Sequence, residues 1–139
     1  MIVDKIKDFI GQCPYLDELV PINANFLHED VVSYCIEASP SSIILESYID
    51  GSSERQLNFI FSSKEIMSDF DDTNMENLNF YEHFTKWIEE QNRLGNLPKL
   101  EYPLFAQKIE VTSPGYVIQL EPNKGQYAIK MRLKYFDKN

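Results

Sequence analysis

Between Gln126 and Tyr135 the chain alternates without a break: Tyr127, Ile129, Met131, Leu133 and Tyr135 fall on one set of positions, Gln126, Ala128, Lys130, Arg132 and Lys134 on the other. A period of two is the pleat of a β-strand, whereas a helix would scatter those apolar side chains around its circumference. The apolar set must meet a core, and the basic set must face away from it. A strand covered on one side only belongs to a sheet in which antiparallel neighbours predominate.

The same pattern recurs upstream. Val32, Tyr34, Ile36 and Ala38 alternate with Val31, Ser33, Cys35 and Glu37. Ile43 to Asp50 and Arg55 to Ser63 read as two further strands, with Leu57, Phe59 and Phe61 on one side. Asp50-Gly51-Ser52-Ser53 between them supplies the positive φ that tight turns need, so strands 43–50 and 54–63 are expected to form a β-hairpin. Phe105, Gln107, Ile109 and Val111 alternate with Lys108, Glu110 and Thr112. With Tyr116 to Leu120 and the closing strand they predict a three-strand meander, turning at Ser113-Pro114-Gly115-Tyr116 and at Pro122-Asn123-Lys124-Gly125.

Two segments break from this period. Ile2, Ile6, Phe9 and Ile10 recur at helical spacing, with Gly11 suited to a C-terminal cap and Pro14 barring continuation. Phe80, Phe84, Trp87, Ile88 and Gln91 make a stripe that predicts a helix from about Asn77 to Leu94, closed by Gly95 and stopped by Pro98. The polar acidic run Ser68 to Asn74 reads as a loop leading into it. Between Pro14 and Asp30 the pattern is weak and supports a short strand or irregular chain. The expectation is one α+β domain over 1–139: an antiparallel-dominated or mixed sheet of five to six strands on two helices, with a protruding β-hairpin.

Charge narrows the partners. The 139 residues hold 13 Lys and Arg against 22 Asp and Glu, a formal net charge of −9. Such a balance opposes phosphate-backbone binding and anionic membrane surfaces. No run of 18 apolar residues exists to span a bilayer, and the charged start Asp4, Lys5, Lys7 and Asp8 predicts no signal peptide. Cys13 and Cys35 lack a C-x-x-C spacing and read as reduced thiols of a cytosolic protein.

No catalytic constellation emerges. His28 and His83 have no motif neighbours and read as surface or boundary residues. An EF-hand alignment of the acidic run fails, with Asn74 where Gly is required and Phe80 where Glu is required. The five glycines sit singly at turns and caps, so no phosphate loop is present. No metal, cofactor or catalytic site is expected. The aromatic and basic residues of the closing strand fall on opposite faces, unlike a nucleic-acid platform.

Self-association is the remaining use. Both faces of the 43–63 hairpin are partly apolar, rimmed by Asp50, Glu54 and Arg55, which points to contact with another subunit or with another element such as the first helix. Tyr48, Ile49, Asp50 and Arg55 on the hairpin, with Lys130, Arg132 and Lys134 on the closing strand, are the candidate interface residues. An acidic segment such as 69–76 is expected to face that basic strand across a contact.

The order of segments also resembles a known family. Cys13-Pro14 ends a short helix, a strand runs through Val31 to Glu37, and Tyr48-Ile-Asp-Gly51 precedes Arg55-Gln56 and Phe59-Ile-Phe61. Phe80-Tyr81-Glu82, Trp87-Ile88-Glu89, the Gly95-Asn-Leu-Pro98 exit and Tyr127-x-Ile129 follow. Along nearly its whole length the chain resembles the tail terminator, or tail-to-head joining, proteins of tailed phages and prophages of Gram-positive bacteria, often labelled minor capsid or neck proteins. The resemblance implies a non-enzymatic virion subunit, assembled in the bacterial cytoplasm, that forms a ring, typically a hexamer. That ring ends tail-tube polymerisation and docks the head connector, with the sheath as a further neighbour in contractile tails, while DNA passes through unbound. A different neck, connector or completion protein is the nearest alternative, and an acidic DNA-mimic binding protein a more distant one.

Overall fold

Two long strands form the centre of the protein. The computed structural model describes residues 2–16, 22–24, 33–38, 42–66, 71–113, 116–121 and 124–138. Its elements run α1 (Ile2–Ile10), β1 (Ile22–Ala24), β2 (Ser33–Ala38), β3 (Ile43–Ser47), β4 (Ser53–Ile66), α2 (Asp71–Leu94), β5 (Leu104–Val111), β6 (Tyr116–Glu121) and β7 (Lys124–Asp137). Strands β4 and β7 pair antiparallel along their whole length, from Ser53 opposite Asp137 to Ile66 opposite Lys124. His28, residues 114–115, 122–123 and 67–70, and most of the weakly patterned stretch before Asp30 lie outside the described residues.

Each long strand carries two short ones end to end on its outer edge. On β4, β3 pairs with Ser53 to Gln56 and β2 with Phe59 to Lys64. On β7, β6 pairs with Lys124 to Ala128 and β5 with Met131 to Asp137. The sheet thus has seven strands, one more than the sequence pattern yields, because the three-residue β1 adds in parallel to β2. The last three strands are not a meander. Strand β5 skips β6 and pairs directly with β7, so β5 and β6 share one edge. Leaving aside β1, which lies between α1 and β2, the order helix, short strand, short strand, long strand occurs twice, as α1-β2-β3-β4 and α2-β5-β6-β7. The antiparallel β4–β7 pairing relates the halves by an approximate two-fold.

The two helices cover one face of this sheet. Phe84 of α2 is fully buried and stacks on Phe61 of β4, ring centroids 5.3 Å apart and planes 7° from parallel. Phe9 of α1 meets Trp87 of α2 at 5.2 Å, so the helices also pack through aromatic rings. Ile6, Ile10, Tyr34, Ile36, Leu57, Phe59, Ile88, Ile109, Ile129, Met131 and Leu133 complete the core. These are the residues that period two and the helical stripe had placed inward.

Several boundaries move for physical reasons. Helix α2 begins at Asp71, so Asp71 to Glu76 belong to helix rather than to a loop. No Gly or Pro interrupts 71–94. At its other end Asn96 N donates to Gln91 O (2.9 Å) and Gly95 N to Asn92 O (3.2 Å), with Gly95 at φ +75°. This is a Schellman ending. Gly11 does not act in that way: its φ is not positive, and α1 runs on into successive turns through Cys13 and Leu16. Strand β3 stops at Ser47, three residues early, because the turn takes Tyr48 to Ser52.

Candidate subunit interface

The β3–β4 turn is built locally. Tyr48 N donates to Ser52 O (2.9 Å) and Gly51 N to Tyr48 O (3.1 Å), while Gly51 adopts φ +91°. Short hairpin loops close in this way, with the left-handed glycine forming the bulge. Asp50 fixes the loop from inside, its Oδ1 accepting from both the backbone N (2.9 Å) and the hydroxyl of Ser52. Those bonds hold the Asp50 carboxyl below its ordinary pKa. At the base of the hairpin, the Tyr135 hydroxyl and Ser42 Oγ are hydrogen-bonded.

This ordered loop presents apolar surface to solvent. Ile49 stands fully exposed, and Ile43, Ile44, Leu45 and Tyr48 are each at least two-fifths exposed. Every residue of β3 is exposed. Desolvation by its neighbours, then the Glu46 and Glu54 carboxylates, raise the Tyr48 phenol above its ordinary pKa. The Tyr48 ring lies 6.5 Å from Phe136, Phe136 pairs across the ladder with Phe105, and Phe105 meets Tyr102 edge-on at 6.1 Å. An aromatic row therefore crosses one end of the sheet on the face away from the helices.

Phe105 joins this row because of a bulge. Between Ala106 and Lys108 the β5–β7 register slips by one residue, which reverses the inward and outward sets. Ile109 faces the core, but Phe105 lies opposite Phe136 on the open face instead of sharing the Ile109 side. Simple alternation had put Phe105, Gln107, Ile109 and Val111 together. One extra residue in a strand leaves no mark in composition, so nothing in the sequence announced it.

Further along the open face lie the cations of β7. Lys130, Arg132 and Lys134 pair with Ile60, Asn58 and Gln56 of β4, all on the face away from the helices. They are not a bare basic stripe. Glu110 of β5 accepts from Arg132 and lies 2.7 Å from Lys108 Nζ. Partial burial raises the Glu110 carboxyl, but the bonds from Lys108 and Arg132 outweigh it and hold the group below its ordinary pKa. Beside this cluster an open groove of about 620 Å³ runs past Glu37, Gln56, Asn58, Ile60, Lys130 and Arg132.

The seven interface candidates thus fall into three places. Tyr48, Ile49 and Asp50 form the hairpin tip, and Lys130, Arg132 and Lys134 lie on the open face. Arg55 belongs to neither, because period two sets it on the other side of β4, where it pairs with Asp137 at 3.8 Å and donates to Ser53 Oγ at 3.0 Å. Of the acidic segment 69–76, residues 71–76 open α2 and 69–70 lie outside the described residues, so the contact expected with the basic strand is one between copies, not within the subunit. The acids that the structure sets beside the exposed apolar tip are Glu46, Asp50 and Glu54.

Elsewhere, His83 is exposed and stacks on Tyr15 at 4.9 Å. Cys13 and Cys35 are buried and unlinked, and burial pushes the Cys13 thiol up. Among the described residues no group of three or more His, Cys, Asp or Glu could hold a metal ion. No helix among them is long and apolar enough to cross a membrane. No family model matches the chain, and no curated protein matches it either.

Proposed function

We propose that this protein is a structural subunit that closes into a ring, six copies in the simplest case, at the head-proximal end of a phage or phage-like tail. There it ends tube polymerisation and joins the tail to the head connector. The observation that carries the reading is the uncovered hairpin. A run of apolar side chains on an ordered, half-exposed strand and its fully exposed tip is surface suited to another protein chain. The segment order described above supplies the assembly, and the acidic net charge suits a ring through which DNA passes without sticking.

The test is co-assembly with the tail-tube protein of the same particle. Added to polymerising tube subunits, the protein should cap one end, limit tube length and appear by negative-stain microscopy as a ring at that end. Tubes of unchanged length, with no density at either end, would overturn the proposal. Binding to the head connector alone would make it a different neck component.

A further inference from the structure

We infer that the β3–β4 hairpin tip of one copy seats in the open-face groove of the next copy, a head-to-tail contact that repeats. This deepens the ring reading and rests on it, for it names which two surfaces of the subunit meet.

The two surfaces differ in shape and complement each other in chemistry. The tip offers Ile49, wholly in solvent, and the exposed Tyr48 ring, with carboxylates at Glu46, Asp50 and Glu54 around them. The groove offers an apolar floor at Ile60, amides at Gln56 and Asn58, and the cations Lys130 and Arg132, of which Arg132 is held by Glu110, beside the carboxylate of Glu37. An acidic apolar knob thus faces an amide-lined recess whose own charges balance. The protein is otherwise strongly acidic, which makes this recess a rare place for such a knob to approach without repulsion.

Geometry makes the contact intermolecular. The ladder between β4, β7 and β5 ends at the row of Ser53, Asp137 and Leu104, and the tip lies past it. Ile60 is seven residues along β4 from Ser53, which at ~3.3 Å per residue is about 23 Å. A hairpin of this length cannot fold back to its own groove. A loop at the end of a sheet docking on a face is not self-complementary, so each contact leaves a free groove and a free tip. Such contacts propagate and close into a ring when the rotation allows. The tip is also pre-ordered by the Asp50–Ser52 bonds and by Tyr48 on Phe136, so little is lost in ordering it on binding.

The experiment uses the whole chain and native mass spectrometry. The wild type should assemble beyond the dimer. Ile49→Asp removes a working tip and Lys130→Glu a working groove, and each variant alone should be monomeric with an unchanged Tm, since both side chains are exposed. Mixed in equal amounts they retain one good tip and one good groove, and should give dimers and nothing larger. As a second measurement, Ile49→Cys and Asn58→Cys proteins, mixed and oxidised, should form a mixed disulfide dimer that neither forms alone. A monomeric wild type, a wild type that stops at dimers, variants that assemble normally, or a mixture that stays monomeric would overturn the contact. Tube capping is read separately: capped tubes without the 49–58 cross-link sink this contact alone, and the cross-link without capping sinks the tail reading alone.

Discussion

The side chain of Asn92 completes the backbone ladder of Ile109. From the last turns of α2, Asn92 Oδ1 accepts from Ile109 N (3.0 Å) while its Nδ2 donates to Ile109 O, and Nδ2 also reaches Ile88 O at 2.9 Å. A carboxamide carries one acceptor and one donor side by side, as a peptide group does, and so pairs with a strand edge as another strand would. The helix is fastened to β5, and that edge is closed at Ile109 to any further strand. Strand β3, by contrast, has every residue exposed.

Replacing Asn92 with Leu should therefore cost more than a surface substitution. It leaves the N–H and C=O of Ile109 without their partner, at about 1–3 kcal/mol for a buried unsatisfied group. Urea unfolding should show a lower midpoint at unchanged slope; an unchanged midpoint would mean that water replaces the amide at no cost.

Phe84 is the larger test of the core. Its ring is fully buried and stacks on Phe61, with Phe80 at 5.8 Å and Trp87 at 6.3 Å. Phe84→Ala should destabilise by about 3–5 kcal/mol, the range for emptying a buried phenylalanine site. Phe84→Leu should recover much of that, and equal losses for the two would point away from cavity formation.

Gly95 separates conformational strain from crowding. It holds φ +75°, and a Cβ added there would meet nothing within 4 Å. Gly95→Ala should thus lose about 1–2 kcal/mol through the left-handed backbone alone. Gly95→Asn should lose less, because Asn tolerates that region. Thermal melts of the two variants compare them directly.

Glu110 should give stability a pH dependence of known sign. Its folded pKa lies below its ordinary value, because hydrogen bonds from Lys108 and Arg132 outweigh the effect of partial burial. The unfolded chain then binds the proton more readily. The contribution is fully present above the ordinary glutamate pKa and is lost as pH falls through the lower folded one. Glu110→Gln should flatten the acid-side slope of the urea midpoint between those values. A slope identical to wild type would assign the dependence to other carboxylates.

The extent of what the sequence carried varies with the kind of interaction. Phe61 and Phe84 could be assigned inward from spacing alone, since a period of two or 3.6 is fixed by the backbone of each element. Lys130 could be named as outward for the same reason, whereas Ile49 is exposed because it lies in the turn that ends β3. Phe105 could not, because the bulge at Gln107 is decided by how β5 meets β7. Arg55 was grouped with the wrong neighbours, its place set by the phase of β4 rather than by its distance along the chain from Tyr48.

By itself, the sequence determined the local periods: two amphipathic helices, strands with one apolar side, a glycine turn at Gly51 and a net charge of −9. These are properties of short windows, and the physics that sets them acts within a few residues. Tertiary structure decided the rest. It placed β5 beside β7 past β6, let Asn92 close one edge, left β3 exposed, and neutralised part of the basic stripe through Glu110. Each of these joins residues far apart in the chain, so it depends on the packing of whole elements and on which edges that packing leaves to be covered.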